Sequence, residues 1–307
     1  MSTLADLYAE YQALLFDGLA LNSRAAYQRA WALRVAPTLG DREITTITPL
    51  DIMAAAAEWS GSRSTRQDAL ALVSKLCNLG VLSGQIPHNP VRSMPPRRTP
   101  QVTDVASRAL SDAEAVHMLA LTAHHPHAHR ILAALLYTGC RLGEVMGLER
   151  GDIDGNVLRI RRSLSPQNGV MTVGPTKGRQ ARAVPIIPAM REVLTEALDN
   201  PAHESRLFTG AKGGPMSSSN LTRAVNWHHI RDQIKTFPAD QPALRFHDLR
   251  HTAAVNFFRV GLSAPDVQRI LGHSSLQVTE QYARSTDAAA LRAVAAFSAE
   301  LTPGVSA

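Results

Sequence analysis

At 307 residues the chain is long enough to bury two separate cores. Its 45% hydrophobic and 19% charged content reads as a soluble globular protein, and no apolar run is long enough to span a bilayer. A formal charge of +6 and a pI of about 9.7 favour a polyanionic partner, although a merely basic soluble enzyme fits the charge equally well.

The opening segment, MSTLADLYAEY, has no basic stretch followed by an apolar one, so the chain is expected in the cytoplasm or nucleoid, where DNA is held. Residues 3 to 16 and 22 to 36 carry apolar side chains at helical spacing, with Asn22 or Ser23 as the cap of the second helix. Thr48-Pro49-Leu50-Asp51 reads as a helix start that runs to Trp59. Ser62 to Leu79 reads as another helix, closed by Gly80 and then Gly84. These form an all-helical N-terminal unit over residues 1–93.

From Ile86 the composition shifts. Pro87, Pro90, Pro95, Pro96 and Pro100, with Arg92, Arg97 and Arg98 and no acidic residue before Asp104, predict an extended linker, set at 94–108. A stretched basic chain suits a path beside a duplex backbone, which makes Arg92, Arg97 and Arg98 candidate phosphate contacts. A solvated linker accounts for each of them as well.

The second unit, 109–307, opens with the capping box Ser111-Asp112-Ala113-Glu114. A buried helix over Arg130 to Tyr137 then delivers Thr138-Gly139-Cys140-Arg141, with Arg141 and Glu144 on one helical face. At this spacing an Arg and a Glu are usually a surface pair of little worth; here the carboxylate can instead hold the guanidinium in place. Asn156 to Arg162, Val170 to Val173 and Ala181 to Ile186 read as a small antiparallel sheet, with Lys177 in the turn between the last two. Of 32 basic residues only Lys75, Lys177, Lys212 and Lys235 are lysine, which makes one in that turn harder to dismiss. Helices are expected over Pro188 to Asp199 and Ser217 to Ile234, and a last one carries the apolar stripe Leu291, Val294, Phe297 and Leu301. The fold class is therefore mainly α with a small antiparallel β-sheet, α+β.

His124, His125, His127 and His129 cluster in an expected loop, but no Cys or carboxylate pattern completes a metal site. His247 and His251 form an H-x-x-x-H pair in which position 248 is Asp, not the Glu of a zinc hydrolase, and Arg250 between them opposes a cation. No metal and no cofactor is expected. Cys77 and Cys140 sit in apolar surroundings and require no disulfide.

The stretch Arg245 to Tyr282 carries the chemistry. His247 and Arg250 lie three apart on one helical face, Gly272-His273 follows a second short helix, and Tyr282 comes nine positions later. A guanidinium fork beside an imidazole suits a phosphate. H-x-x-R, then L-G-H, then a tyrosine resembles the active site of the tyrosine recombinases, the phage integrase family. The upstream half of that pattern is present too: Thr138-Gly139-Cys140-Arg141-Leu142-Gly143-Glu144 supplies an arginine, and Thr176-Lys177-Gly178-Arg179 a lysine.

The resemblance implies a helical core-binding (SAM-like) DNA-binding domain followed by a mixed α/β catalytic domain whose last helix docks on a neighbouring subunit. It implies that Tyr282 attacks the phosphodiester, leaving a 3′-phosphotyrosine, while Arg141, Arg250 and His273 stabilise the phosphoryl oxygens. His247 is then the base or positioning group and Lys177 the acid on the leaving oxygen, with Glu144 in support. Arg92, Arg97, Arg98 and Arg179 are candidate DNA contacts. Of the two tyrosines in this half, Tyr137 is embedded in an apolar run.

The partners implied are double-stranded DNA target sites, three further copies in a tetramer on two sites, and possibly an accessory directionality factor; no membrane is involved. The core-binding pattern begins almost at residue 1, so a short form without an arm-binding domain is expected. An integrase of a phage or other mobile element is favoured. The alternatives are a Xer-like recombinase that resolves dimers, a type IB topoisomerase, and a DNA-binding regulator without catalysis.

Overall fold

The computed structural model describes residues 2–19, 21–95, 105–167, 170–176, 181–199, 205–239, 241–273 and 275–283. The chain divides into two compact units, Met1–Thr99 and Pro100–Ala307. In the first unit, side-chain caps set the helix starts. Thr3 accepts from the Asp6 amide while the Asp6 carboxylate accepts from the Thr3 amide, which opens α1 (Leu4–Phe16). α2 (Leu21–Ala30) begins one position before the expected caps, so Asn22 and Ser23 lie inside its first turn. It continues through a π turn, Trp31–Val35, into α3 (Ala36–Leu39), and the Trp31 ring stacks on Tyr8 at 4.0 Å. Thr48 and Asp51 repeat the capping box at α4 (Pro49–Glu58).

α5 (Arg63–Leu82) departs from the expected ending. It runs straight through Gly80, where a Cβ would meet Ile44 and Ile86 side-chain atoms at 3.4 Å, and the chain turns only at Gly84, with φ +74°. Gly80 thus serves close packing, and Gly84 the left-handed turn. Leu4, Leu7, Ile52, Leu72 and Leu76 are fully buried at the centre of this unit.

The second unit starts with a 3₁₀ turn, Val105–Arg108, within the stretch expected to be linker. α6 (Asp112–Thr122) opens on the Ser111/Glu114 capping box. α7 (Pro126–Thr138) begins four residues earlier than its apolar pattern, so His127 and His129 lie in its first turn and not in a loop. Proline, which needs no amide partner there, sets that start. Ile131, Leu132, Ala134 and Leu135 make α7 the buried spine of the unit. α8 (Leu142–Met146) follows directly.

Five strands then form two antiparallel sheets among the described residues, where one was expected. β1 (Ile153–Asp154), β2 (Val157–Ile160) and β5 (Arg182–Pro185) pair in that order; β3 (Arg162–Gln167) and β4 (Val170–Pro175) pair separately, with Leu164 opposite Val173. The sequence hides β3 because Ser-Leu-Ser-Pro-Gln has weak strand character, and Pro166 is tolerated only where a ladder amide is not needed. α9 (Pro188–Leu198) is as expected.

The single helix expected over Ser217 to Ile234 is two, α10 (Ser218–Ala224) and α11 (Trp227–Ile234), broken at Asn226 with φ +48°. The break points Trp227 into the core, where its indole donates to the Leu244 carbonyl at 3.0 Å. α12 (Phe246–Arg259), α13 (Ala264–Leu271) and α14 (Leu276–Ala283) complete the unit, with α12 packed on α7. The apolar stripe at Leu291, Val294, Phe297 and Leu301 lies outside the described residues. The class is mainly helical with small antiparallel sheets, as the sequence indicated, and no described helix is long and apolar enough to cross a membrane.

Candidate active site

The site is built on the C-terminal ends of α7 and α13 and the face of α12 between them. Gly139 ends α7 in the left-handed region, φ +64°, and a Cβ there would stand 2.6 Å from Leu271 and 3.1 Å from Ala253. Only glycine meets both demands. Thr138 secures the turn by accepting from the Cys140 amide at 3.1 Å. The chain then presents Arg141 at the start of α8, where its amide and guanidinium both donate to Glu144, at 2.8 and 3.0 Å.

Arg250, on α12, is 2% exposed. It donates to the carbonyls of Gly139 at 2.8 Å and Leu271 at 2.7 Å, the two helix ends that flank the site. Helix C-termini carry partial negative charge, which suits a buried cation. Burial, then repulsion from Arg141, lowers Arg250 to about 10, so it stays charged at neutral pH.

Glu144 has a second cation that sequence reasoning missed. Arg182, on β5, donates from both terminal nitrogens to the two Glu144 oxygens at 3.0 and 2.6 Å, from Nε to the Ile270 carbonyl at 2.7 Å, and toward Cys140 Sγ at 3.6 Å. Burial alone would raise the Glu144 carboxyl, but the Arg182 hydrogen bond and charge, with Arg141, pull it down to about 2. Gly272, φ +69°, lies against the same guanidinium: a Cβ would meet the Arg182 side chain at 3.0 Å. Arg182 had no local signal, because its partners lie 38 and 88 positions away in the chain.

Arg141, Glu144, Arg182, Gly272 and His273 line a cleft of about 510 Å³, together with Thr176. Lys177 and Arg179 lie outside the described residues, as do Arg97 and Arg98. Thr176 and Ala181, which border the lysine turn, both line the cleft. Arg92 is exposed on a 3₁₀ turn, Pro90–Ser93, of the first unit.

Tyr282, on α14, is 3% exposed. Its ring lies nearly parallel to His273, 6.2 Å between centroids, and its phenol is 2.5 Å from His251 Nδ1. His273 Nδ1 is in turn 2.8 Å from the Thr279 hydroxyl on the same helix as Tyr282. Burial pushes the phenol up to about 12, with Arg250 opposing and Asp248 adding to the rise. His247 and His251 meet edge to face at 4.9 Å.

All three imidazoles are held neutral: burial and the charges of Arg250 and Arg141 lower His247 to about 4 and His273 to about 3, and burial with His247 lowers His251 to about 4. Asp248, fully buried, is gripped by Arg108 at 2.9 and 2.6 Å and Arg245 at 3.0 Å. The structure therefore gathers Arg141, Glu144, Arg250, His247, His273 and Tyr282 in one region and adds Arg182, His251, Asp248 and Arg108. A cationic rim around a neutral, buried phenol can receive a phosphate, neutralise its oxygens and present a nucleophile to it.

Residues 108–289 match the model of the phage integrase family. The chain is 28% identical over 285 residues to the integrase of Mycobacterium phage L5, covering 88% of this chain and 72% of that protein. It is 30% identical over 236 residues to the tyrosine recombinase XerC of Corynebacterium efficiens, covering 74% of this chain and 69% of that one. Among solved structures it resembles the Tn1549 transposon integrase in complex with a circular intermediate DNA, with a TM-score of 0.77 at 18% identity over 92% of this chain and 95% of that one.

Proposed function

Since the chain belongs to the phage integrase family, we propose that it is a site-specific recombinase that cuts and rejoins double-stranded DNA through a 3′-phosphotyrosine at Tyr282. The observation that carries the reading is the buried Tyr282 phenol, framed by His251 and His273 in the same region as Arg141 and Arg250. A phosphodiester repels nucleophiles, and displacement adds charge to its non-bridging oxygens. Arg141 and Arg250 neutralise those oxygens, and His273 adds a donor, each worth on the order of a hundredfold in rate. Glu144 orients Arg141. Lys177 protonates the departing 5′ oxygen, and His247 is the base or positioning group. Because the cleaved bond is kept as a protein ester, a 5′-hydroxyl from a second duplex reverses the step without a nucleotide cofactor.

Exchange between two sites cuts four strands, which calls for four tyrosines and hence a tetramer on two sites. The first unit, with Arg92, Arg97 and Arg98 near its end, supplies phosphate contacts on the opposite side of the duplex, and Arg179 adds one beside the lysine turn. The biological setting that fits best is an integrase of a phage or other mobile element, with an accessory factor setting direction. Dimer resolution is the second reading, favoured by the 30% identity to a XerC recombinase.

The test uses a pool of nicked duplexes cut from the DNA of the source organism, in which cleavage beside the nick releases a short fragment and strands the adduct. Covalent protein–DNA complexes with the wild-type chain, followed by sequencing of the attached DNA, report chemistry and site together. One recurrent core site supports the reading; adducts at random sequences indicate a topoisomerase, and binding without adducts a regulator.

A further inference from the structure

The partner of the Tyr282 phenol is not one of the six positions that the family pattern marks. It is His251, one helical turn beyond His247 on α12, with Nδ1 2.5 Å from the phenol oxygen. The opposite nitrogen, Nε2, faces Asp248 Oδ1 at 3.7 Å. Asp248 cannot swing away, because Arg108 and Arg245 hold both of its oxygens and it is fully buried. A carboxylate on that side favours the tautomer with the proton on Nε2, which leaves the Nδ1 lone pair for the phenol. Tyr282 then donates and His251 accepts.

Building on the recombinase reading above, we infer that His251 is a further catalytic residue, which takes the phenolic proton as Tyr282 attacks the phosphodiester. In that step the phenol oxygen forms the new bond to phosphorus and the bond from phosphorus to the 5′ oxygen breaks. The phenolic proton passes to His251 Nδ1, and the 5′ oxygen takes a proton from Lys177. Rejoining runs the same moves in reverse.

Charge distribution favours His251 over His247 for this task. A proton on His247 is opposed by Arg250, Arg141 and Arg245. A proton on His251 is opposed by His247, Arg245 and Arg108, but gains Asp248 as a partner at 3.7 Å. The groups facing His251 are thus His247, Asp248 and Arg245 at the start of α12, Arg108 from the 3₁₀ turn and Tyr282 from α14. Burial holds the imidazole at about 4, so it is neutral and receptive at pH 7, and an incoming phosphate anion raises its affinity for the proton. His247 is left as a donor to the phosphate.

The experiment compares the full-length wild type with His251→Gln and His251→Ala on the nicked duplex recovered by adduct trapping, measuring single-turnover adduct formation from about pH 6 to about pH 9. Glutamine keeps an acceptor for the phenol but cannot take its proton. Both variants are expected to bind the duplex like wild type and to form adduct about a hundredfold or more slowly. Their rates should climb with hydroxide, whereas the wild-type rate should be flat through neutrality. A His251→Gln rate less than tenfold below wild type would show that the imidazole only positions the phenol, and a faster variant would show that the contact parks it; either overturns the inference. If neither variant folds, the wild-type profile decides alone: a rate first order in hydroxide across the range excludes His251 as the base. If wild type forms no adduct at all, the recombinase reading itself is what fails.

Discussion

Arg182 holds the carboxylate of Glu144 in a two-pronged grip, 3.0 and 2.6 Å, from a strand that follows the lysine turn. Arg141 takes the same carboxylate from the other side at 3.0 Å, so Glu144 couples the turn region to the arginine that receives the phosphate. Removing one partner of a buried pair leaves the other poorly compensated, at a cost of about 3 kcal/mol. Arg182→Ala is therefore expected to lower the urea midpoint and, by loosening Arg141, to slow adduct formation about a hundredfold. Arg182→Lys, a point charge that cannot reach both oxygens, should fall between. Wild-type adduct formation by Arg182→Ala would show that Glu144 orients Arg141 unaided.

Gly139 and Gly155 separate strain from packing. Both have positive φ, +64° and +57°, but a Cβ at Gly139 meets Leu271 at 2.6 Å, whereas at Gly155 nothing lies within 4 Å. Gly155→Ala should cost about 1 kcal/mol from backbone strain alone, and Gly139→Ala about 3 kcal/mol once the crowding of Leu271 and Ala253 is added. Denaturant titration of the two variants checks the difference; equal losses would mean that the α7–α13 contact yields freely.

Acid stability should follow the buried histidines. His247 and His251 stay unprotonated to about 4 and His273 to about 3, against an ordinary 6.5. Below 6.5 the unfolded chain binds protons that the folded chain refuses, so stability falls as pH drops from 6.5 toward 4. Glu144 and Asp248, both held near 2 by arginines despite burial, work in a lower window: their stabilisation is present above 4.5 and 3.8 and is lost as pH falls toward 2. Urea midpoints at several pH values should decline already between neutrality and pH 5. A flat profile over that range would mean that the imidazoles are hydrated in the native state.

Arg92 tests the proposed role of the first unit. It is exposed on its 3₁₀ turn, so replacing it should leave folding intact. Arg92→Ala is expected to weaken duplex binding and to reduce the slope of log affinity against log salt by about 1, the signature of one lost phosphate contact. An unchanged slope would mark Arg92 as a solvated side chain.

The sequence carried the site further than it carried the fold. Each of Arg141, Arg250, His273 and Tyr282 sits in a short local pattern whose spacing survives folding, because turns and caps such as Gly139 and Gly272 are written next to them. Arg182 and Arg108 were invisible for the opposite reason: each pairs with a carboxylate far away in the chain, 38 positions in one case and 140 in the other. His251 was weighed only as a metal ligand, since nothing local says that its free nitrogen will meet Tyr282 31 positions on. In the fold, Gly80 and Asn226 misled in opposite directions. A helical glycine that looked like a stop was a packing contact, and a residue inside an apparently continuous helix adopts positive φ so that Trp227 can be buried.

The central claim is that the Tyr282 oxygen becomes covalently joined to DNA. Digesting the trapped complex and locating the phosphorylated peptide by mass spectrometry tests this directly. The modification should fall on Tyr282, and Tyr282→Phe should bind the same duplex with unchanged affinity yet yield no adduct. Adduct formation by Tyr282→Phe, or a phosphopeptide mapping to any other side chain, would contradict the account.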